Sequence, residues 1–504
     1  MRPLPFPIAL DSSDSSPIFV QISKAIAADI ARGRLKPGAA LPGTRSLALA
    51  LGVHRSTVVA AYAELLAQGW TGTRQGGATY VATESPEPTP RRWAKGGKGP
   101  HVVGAQLGFA VEASPIHVKP LPPASVRDPI FMWGGVPDLR LVPVELLARA
   151  YRRVARHHGH TLLGYHLDGR GHPRLRSALG QFLSTTRGIA VGEDNLIVTR
   201  GSQMALDLVA RSLLRPGDAV VVESPGYLSA FNVFRRAGAE VIPIAVDAHG
   251  LDVAALERVI QRRKIRLIYV TPHHQYPTTV VLSPGRRLAL LDLARQKQIA
   301  ILEDDYDQEF HYDGRPVLPL ASHDEHGNVI YVGTLAKILA PGLRLGFVVA
   351  PSLLVARMAD ERVLIDRQGD AVLECAVAEL LEDGDIQRHV RRTRRIYEER
   401  RDALCDSVDT HFSGILSYSR PAGGLSLWAR VAPTVDVARW ETQSRKLGVH
   451  FQTGQQFTFD GQAIPFVRLG FSSLDSKSLE LATRRMLAAL RAVKRKSDER
   501  RQQF

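Results

Sequence analysis

Cysteine is nearly absent from this chain of 504 residues, which contains only Cys375 and Cys405. Neither has cysteine or histidine neighbours at the spacing of a zinc site, so the sequence supports neither a disulfide framework nor a bound metal. No apolar run approaches the roughly 20 residues that span a membrane. Prolines and aspartates also interrupt the first residues, where a signal peptide would have an apolar core. We therefore expect a cytoplasmic protein that has no membrane partner.

Acidic residues are also in deficit. The chain has 50 Asp and Glu against 65 Lys and Arg, which gives a formal net charge of +15. Such an excess favours partners such as nucleic acid, although an ordinary basic surface would give the same total. Hydrophobic residues make up 44% of the chain and charged residues 23%, which is typical of a folded globular protein. The length predicts two or three domains.

Residues 14–83 have the pattern of a winged helix-turn-helix domain. Ile22 and Ile26 recur near helical spacing, in a helix that we expect to end at Gly33. A short second helix follows, with Thr44 as its predicted N-cap, and a third helix lies in "HRSTVVAAYAELLAQGW". The stretch "TGTRQGGATYVAT" is typical of a hairpin with a Gly-Gly turn. This order of elements predicts a winged helix.

Donor side chains cluster where such a domain would meet DNA. A recognition helix reads base edges in the major groove with its first turn, and glycines in a ribbon let the backbone approach phosphates. The candidate DNA-binding residues are His54, Arg55, Ser56 and Thr57 in the third helix, Arg45 in the second, and Arg74, Gly76 and Gly77 in the ribbon. Each arginine alone could be an ordinary solvated residue, but together they favour double-stranded DNA as a partner.

The remainder of the chain divides by composition. Residues 84–128 are rich in proline, glycine and charge, which predicts a flexible linker. In residues 129–492, short β-branched runs alternate with helical patterns, which predicts a large α/β domain with a largely parallel sheet. Residues 493–504 form a basic tail.

The stretch "GTLAKILAPGLRLG" places Lys337 between Thr334 and Arg344. A lysine amine becomes useful for Schiff-base chemistry only when burial or neighbouring charge makes it a nucleophile. A guanidinium beside a hydroxyl is well suited to phosphate oxygens. The trio therefore suggests an aldehyde cofactor that carries a phosphate, although Lys337 could also be a solvated loop lysine.

A phosphorylated aldehyde with a pyridine ring needs further groups, and we find candidates at predicted strand ends. They are Gly201, Ser202 and Gln203 at a helix start for the phosphate, Tyr227 for stacking, Asp304 for the ring nitrogen and Tyr306 for the phenolic oxygen. Each of these residues alone is more often structural. Only their joint occurrence in this order favours a cofactor site.

The first domain resembles a known family. The stretch from "PIFVQISKAIAADI" through the turn "GRLKPGAALP" to "AYAELLAQGW" is similar to the winged-helix domain of GntR-type bacterial transcription regulators. In that family the counterparts of Arg45, Arg55 and Thr57, together with the wing glycines, contact operator DNA. His54 stands where the family more often has a serine helix cap.

The second domain resembles the fold-type I aminotransferases, which depend on pyridoxal 5'-phosphate (PLP). The similarity includes "GYHLDGRGHPRLRSALGQFL" and "VTPHHQYPTTVVLS". It implies an α/β fold with a smaller C-terminal α+β part, and PLP as the cofactor, with Lys337 as the Schiff-base lysine and the candidates above as its other ligands. It further implies that Tyr165 reaches the phosphate of the partner subunit and that Arg468 binds a carboxylate of the ligand.

Together, the two domains resemble the MocR/GabR regulators over nearly the whole chain. The resemblance implies a head-to-tail homodimer and a small amino compound as effector. Two residues depart from the family pattern, since Ala336 replaces the usual serine and Ser229 replaces an arginine.

The leading hypothesis is a transcription regulator that senses an amino compound or the cofactor itself. An active aminotransferase carrying a DNA-binding domain is the alternative, and a dimerisation scaffold is a third. Whether the protein is an enzyme is open, and we expect at most partial transamination.

Overall fold

The computed structural model describes Ile8, Leu10 and residues 16–73, 78–83, 109–111, 128–166, 168–314 and 317–502, with side chains to Arg495. The chain divides into two compact units, Met1–Ser114 and Pro115–Phe504. This division falls within the segment predicted as a linker, most of which lies outside the described residues. Within the described part of the chain, no helix has the length and apolarity required to cross a bilayer.

The first unit is the predicted winged helix-turn-helix. Its elements are α1 Ile18–Ala31, α2 Thr44–Leu51, α3 Arg55–Ala67, β1 Thr71–Thr73 and β2 Thr79–Val81. The strands β1 and β2 pair antiparallel. One core of buried residues joins the three helices to the strands, and it includes Ile26, Leu47, Leu65 and Val81.

The turn between α2 and α3 depends on glycine. Gly52 follows α2 with φ +66°, in the left-handed region that other residues rarely adopt. The sequence-based assignment of the helix start was off by one residue, since Gly43 is the N-cap and Thr44 is the first helical residue. The hydroxyl of Thr44 is therefore not used as a cap. It accepts a hydrogen bond from Arg55 Nε instead, at 3.4 Å.

The second unit begins with β3 Ile130–Met132 and is built mainly around an eight-stranded sheet. The strands of this sheet are β4 Leu196–Thr199, β5 Ala219–Ser224, β6 Glu240–Asp247, β7 Gly250–Leu251, β8 Ile265–Val270, β9 Ala300–Asp305, β10 Val329–Thr334 and β11 Gly346–Val349. Their order is β4-β11-β10-β9-β8-β5-β6-β7. The five strands β6, β5, β8, β9 and β10 run parallel, as predicted, and β11 is antiparallel to both of its neighbours.

Helices cover both faces of this sheet. They are α4 Val144–Leu162, α5 Pro173–Arg187, α6 Gly201–Leu213, α7 Leu228–Arg236, α8 Val253–Arg262, α9 Pro284–Lys297, α10 Ser352–Ile365, α11 Ala371–Glu382 and α12 Asp385–His411. Along β5, Val220 and Val222 belong to the core formed with α6 and α7, whereas Val221 belongs to the core formed with α8 and α9. A strand buried on both faces must be apolar at every position, which explains the continuous hydrophobic runs in the sequence.

A second sheet of five strands forms the smaller part, in the order β12-β13-β15-β14-β3. Its elements are β12 Leu416–Ser417, β13 Ser426–Val431, α13 Val437–Lys446, β14 Val449–Thr453, β15 Phe466–Gly470 and the helix α14 Ser476–Gln502. The strand β3 pairs with β14 in parallel, although most of the chain separates them. Helix α14 continues through residues that we expected to form a separate basic tail from position 493.

Trp440 of α13 is the largest side chain enclosed in the core of the smaller part. It is fully buried, its Nε1 donates to the Met486 carbonyl at 2.9 Å, and its ring contacts Phe412 and Phe451. We expect Trp440→Ala to lower the free energy of unfolding of this unit by about 3–5 kcal/mol, because it leaves a large cavity. Urea denaturation followed by circular dichroism measures the change.

The matched control is Leu288→Ala, at a side chain of α9 that is 62% exposed. We expect it to change the free energy of unfolding by less than about 0.5 kcal/mol. Equal losses in the two variants would contradict the assignment of Trp440 to the core.

Candidate functional site

A cavity of about 230 Å³ opens at the carboxyl ends of β8, β9 and β10, where ligands bind in open α/β sheets. It is lined by nine of the residues singled out from the sequence, namely Gly201, Ser202, Gln203, Tyr227, Asp304, Tyr306, Thr334, Lys337 and Arg344. Segments that are far apart in the chain converge here, because the parallel strands all end at one edge of the sheet.

Lys337 lies in the short segment that follows β10. Burial lowers the pKa of its amine, and the nearby positive charge of Arg468 lowers it further, against the opposing effect of Asp307 and Asp304. A lysine with a lowered pKa spends more time as the free amine, which is the nucleophilic form. The environment of Lys337 is thus suited to Schiff-base chemistry.

Asp304 stands near the end of β9 with one oxygen in use and one free. Its Oδ2 accepts a hydrogen bond from Tyr269 Oη at 2.8 Å, while the buried Oδ1 has no partner among the described residues. Burial raises the pKa of this carboxyl group to about 7. A buried acceptor without a donor costs free energy, so this site favours a ligand with a cationic N–H group. The ring nitrogen of a pyridine cofactor fits that requirement.

Backbone amides and basic side chains converge at the start of α6. Gly201 begins this helix with φ +75°, and a Cβ atom there would lie 3.0 Å from Arg344 Nη2. Arg344 Nη2 donates to the Arg200 carbonyl at 2.8 Å, which holds the guanidinium against the helix start. The amides of the first turn and this guanidinium form a cradle suited to a phosphate. The Thr334 hydroxyl lies at the same edge, where it accepts a bond from the Ala336 amide at 3.1 Å.

The two tyrosines of the site differ in how they are held. Tyr227 is partly buried, and its ring meets the edge of the Tyr276 ring at a centroid distance of 5.2 Å. Tyr306 Oη donates to the His274 carbonyl at 2.8 Å. Its predicted role as a donor to the phenolic oxygen would therefore require that bond to be exchanged.

Arg468 of β15 is a buried cation with two unsatisfied nitrogens among the described residues. It is 1% exposed, and its Nε and Nη1 have no hydrogen-bond partner among the described residues. Its Cζ lies 4.3 Å from the centre of the Tyr276 ring, and it packs closely against Gly134, which lines the cavity. An unpaired buried guanidinium is costly, so the arrangement favours a carboxylate ligand.

Tyr165 is not among the residues that line the cavity of its own chain. Its side chain is 82% exposed, and the Arg367 guanidinium lies 5.4 Å from its ring centre. An exposed side chain is what a contact with a partner subunit requires.

Four further residues of the cavity region were missed from the sequence. Tyr269, Thr271 and Tyr276 line the cavity, and the buried Glu223 accepts bonds from the Thr271 amide at 2.9 Å and hydroxyl at 2.6 Å. Burial raises the pKa of Glu223 to about 7. Their position at or directly after the ends of β5 and β8 was the available signal, because functional groups collect there.

The candidate DNA-binding residues of the first unit lie mostly on its surface. Arg45, His54, Arg55 and Ser56 are exposed, Thr57 is partly buried, and Arg74, Gly76 and Gly77 lie outside the described residues. His54 Nδ1 accepts a bond from the Ser56 amide, so the histidine caps α3 as a serine would. His54, which replaces the serine more frequent in the family that the domain resembles, therefore still caps the helix.

Comparison with known proteins supports both halves of this description. The family model "Aminotransferase class I and II" matches residues 136–486, and "Bacterial regulatory proteins, gntR family" matches residues 19–81. A probable rhizopine catabolism regulatory protein, MocR, of Rhizobium meliloti is 33% identical over 96% of both chains. The transcriptional regulator TauR of Rhodobacter capsulatus is 31% identical over 92% of this chain and 94% of its own.

Solved aminotransferase structures resemble the second unit. A multiple substrate aminotransferase of Thermococcus profundus superposes with a TM-score of 0.69 and 29% identity over 74% of this chain and 94% of its own. An α-aminoadipate aminotransferase of Thermus thermophilus, complexed with N-(5'-phosphopyridoxyl)-L-leucine, has a TM-score of 0.67 and 28% identity over 72% and 92%.

These findings identify the cofactor and the family. The fold, the aminotransferase match and the phosphopyridoxyl complex of a neighbour indicate PLP, and the free Asp304 oxygen and the cradle at Gly201 fit its ring and phosphate. The chain belongs to the class I and II aminotransferase family and, with its N-terminal GntR domain, to the MocR-like transcription regulators.

Proposed function

We propose that this DNA-binding regulator recognises a small amino compound in its PLP domain and that recognition changes its affinity for operator DNA. One observation carries the proposal. The cavity that contains Lys337 adjoins the buried guanidinium of Arg468, of which two nitrogens lack a partner among the described residues, so an amine site and a proposed carboxylate site lie side by side. The proposed ligand is thus an amine that carries an acidic group, such as an amino acid.

Different residues of the cavity would bind different groups of the cofactor and the ligand. PLP, when bound, supplies an aldehyde carbon that can pass between the amine of Lys337 and the amine of a ligand. Asp304 Oδ1 holds the proton on the ring nitrogen, and the amides at Gly201 together with Arg344 hold the phosphate. Lys337, when it is free, remains beside the ligand as a base that can accept a proton.

Arg468 selects and orients the ligand. A guanidinium binds a carboxylate through two parallel hydrogen bonds, which fixes the direction as well as the distance. Ser229 stands where some related regulators place a second carboxylate-binding arginine. We therefore propose that the charge of Arg468 binds one end of the ligand, and that the other end is selected by its fit to the cavity.

A homodimer with the head-to-tail arrangement is part of the same proposal. Aminotransferase domains commonly dimerise, and Tyr165 is exposed as a contact to the partner's cofactor would need. Large apolar side chains are also exposed on the second unit, including Leu163 at 79%, Leu353 at 85% and Leu364 at 83%. If these side chains form one contiguous patch in the dimer, that patch would favour a protein interface. A cytoplasmic location, where the protein can reach DNA, belongs to this proposal too.

Regulation requires that the ligand distinguish two states of the protein. A ligand shifts DNA affinity only if it binds the DNA-bound and free states unequally, and the effect is reciprocal. The alternative function, an active aminotransferase, uses the same residues but needs repeated turnover with an oxo acid. Relatives over most of the chain length are named as regulators, which favours sensing.

Of the predictions that test this proposed function, the first concerns the attachment of the cofactor to Lys337. After borohydride reduction of the cofactor-loaded protein, we expect mass spectrometry to find a phosphopyridoxyl adduct on Lys337 in the wild type and none in Lys337→Ala. The control Lys297→Ala, at an exposed lysine of α9, should retain the adduct in full. An adduct of equal yield in Lys337→Ala would contradict the assignment.

The same variant tests sensing. An amino compound that changes the cofactor absorption of the wild type should also change its affinity for DNA from its own promoter. Lys337→Ala should bind this DNA but no longer respond to the compound, as measured by fluorescence anisotropy. Sustained turnover with an oxo acid and an unchanged DNA affinity would instead support the aminotransferase alternative.

The second prediction concerns the carboxylate. We expect Arg468→Gln to raise the apparent Kd for a responsive amino acid by about 10- to 100-fold, since a charge-assisted hydrogen-bonded pair contributes about 1.5–3 kcal/mol. Binding of the matching amine without a carboxylate should change little. Spectral titration of the bound cofactor measures both constants, and Arg484→Gln, at an exposed arginine of α14, is the control. Equal losses for the two ligands would argue against carboxylate pairing.

The third prediction concerns DNA. Arg55→Ala should weaken binding to operator DNA by about 1–3 kcal/mol, because a first-turn arginine can contact a base or a phosphate. Lys24→Ala, at an exposed lysine of α1, should leave affinity nearly unchanged. Anisotropy titrations at several salt concentrations separate the two contacts, since loss of a phosphate contact lowers the salt dependence whereas loss of a base contact lowers specificity. An unchanged Kd in Arg55→Ala would remove this residue from the interface.

A further inference from the structure

Three buried histidines form a cluster behind the cofactor cavity. His273 and His274 lie in the segment that follows β8, and His311 lies in the segment that follows β9. They are 2%, 1% and 8% exposed, respectively. One ring nitrogen from each lies within 4.8 Å of the other two. Three imidazoles that are buried so close together require an interaction that stabilises them.

Hydrogen bonds fix the rings of two of these histidines. His274 Nδ1 donates to Asp307 Oδ1 at 2.8 Å, and His311 Nε2 donates to the Asp313 carbonyl at 2.7 Å. A neutral imidazole has one N–H group, so each opposite nitrogen carries a lone pair. These nitrogens, His274 Nε2 and His311 Nδ1, are 3.5 Å apart. Two lone pairs that face each other repel, so the arrangement needs a cation between them, either a proton or a metal ion.

The surroundings of His273 favour a metal ion over a shared proton. Neither of its ring nitrogens has a hydrogen-bond partner among the described residues, although both are buried. Its ring lies 4.3 Å from that of His274 and 5.7 Å from that of His311, between centroids. A buried imidazole with both nitrogens unsatisfied is costly. A shared proton would satisfy two of the three histidines, whereas a metal ion can accept a nitrogen from all three.

The surroundings also suit a metal. Zinc binds histidine nitrogens at about 2.0–2.1 Å in a tetrahedron, which places two such nitrogens about 3.3 Å apart, close to the separation of His274 Nε2 and His311 Nδ1. Metal-binding histidines typically donate their other N–H to a carboxylate or a carbonyl, as His274 and His311 do here. Position 423 is a glycine, and a Cβ atom there would collide with the His274 ring, 2.1 Å from Nε2.

Three arginines, Arg187, Arg287 and Arg394, lie near the cluster, and the first two have acidic groups close by. Arg187 is paired with Glu309 and lies 3.6 Å from Asp305, and Arg287 donates to three backbone carbonyls and lies near Glu303. The carboxylate of Asp307 adds negative charge directly behind His274. The field at the cluster is therefore compatible with a divalent cation.

We propose that His273, His274 and His311 bind one divalent transition-metal ion of the zinc class, with a fourth position left for water. Imidazole is a preferred ligand of such ions, and three protein ligands are a common set. The ion would fasten the segment after β8 to the segment after β9. Tyr306 joins this site to the cofactor cavity, since its hydroxyl donates to the His274 carbonyl.

Metal content is the direct test. The full-length protein, incubated with a small excess of Zn²⁺ and then dialysed against metal-free buffer, should retain about one zinc per chain by mass spectrometry of the metal. His273→Gln and His311→Gln should each retain at least fivefold less zinc. Circular dichroism and the melting temperature in metal-free buffer establish that these variants fold. Substitution of Co²⁺ should give visible absorption of a low-symmetry site in the wild type and not in the variants.

A surface control excludes adventitious zinc. Helix α4 carries the exposed residues His157 and His160, so the double variant His157→Gln/His160→Gln should retain as much zinc as the wild type. Zinc that disappears with this double variant, or that persists in both cluster variants, would overturn the proposal. A wild-type protein that retains no zinc would also overturn it, and a proton shared by His274 and His311 would then explain their approach. None of these measurements depends on DNA binding or on an amino ligand.

Discussion

Buried polar groups that the described residues leave unsatisfied lie around the cofactor cavity, and the second unit brings them there from both of its sheets. Asp304 keeps one buried oxygen without a donor, and Arg468 keeps two buried nitrogens without an acceptor. In a folded protein such groups reduce stability, and their position beside a cavity indicates that a ligand can complete them. The protonated ring nitrogen of PLP would complete the first, and an acidic ligand would complete the second. Stability and binding are thus coupled at the same atoms.

Local patterns in the sequence were sufficient for the fold class. Short apolar strands that alternate with helices predicted the parallel sheet, and the order of helices and ribbon predicted the winged helix, both of which the structure confirms. The position of β3 was not predictable in the same way. A strand of three residues has too little pattern to show its partner, and this one pairs with β14, which lies near the other end of the chain. Only tertiary packing determines that pairing.

The site shows the same division between local and distant information. Residues in motifs, such as Lys337 and Asp304, could be proposed from neighbouring letters and from the family resemblance. For Glu223 the sequence shows only its position near the end of β5, since its hydrogen bond to Thr271 joins two neighbouring strands that are distant in the chain. The three histidines were also missed, because no local motif in the sequence joins His311 to His273 and His274. His311 approaches His273 and His274 only because the segments after β8 and β9 leave adjacent parallel strands.

The pairing of β3 with β14 determines which residues lie next to Arg468. Every residue of the DNA-reading unit precedes β3 in the chain, so β3 is where the polypeptide from that unit is first anchored in the sheet that contains β15. Directly after β3, Gly134 packs against the Arg468 guanidinium, and the Trp133 carbonyl lies against Gly470 of the same strand. The backbone directly after the first strand of the second unit therefore lies against the side chain that we propose as the carboxylate ligand. A bound acid would alter the contacts of Arg468 with these same residues.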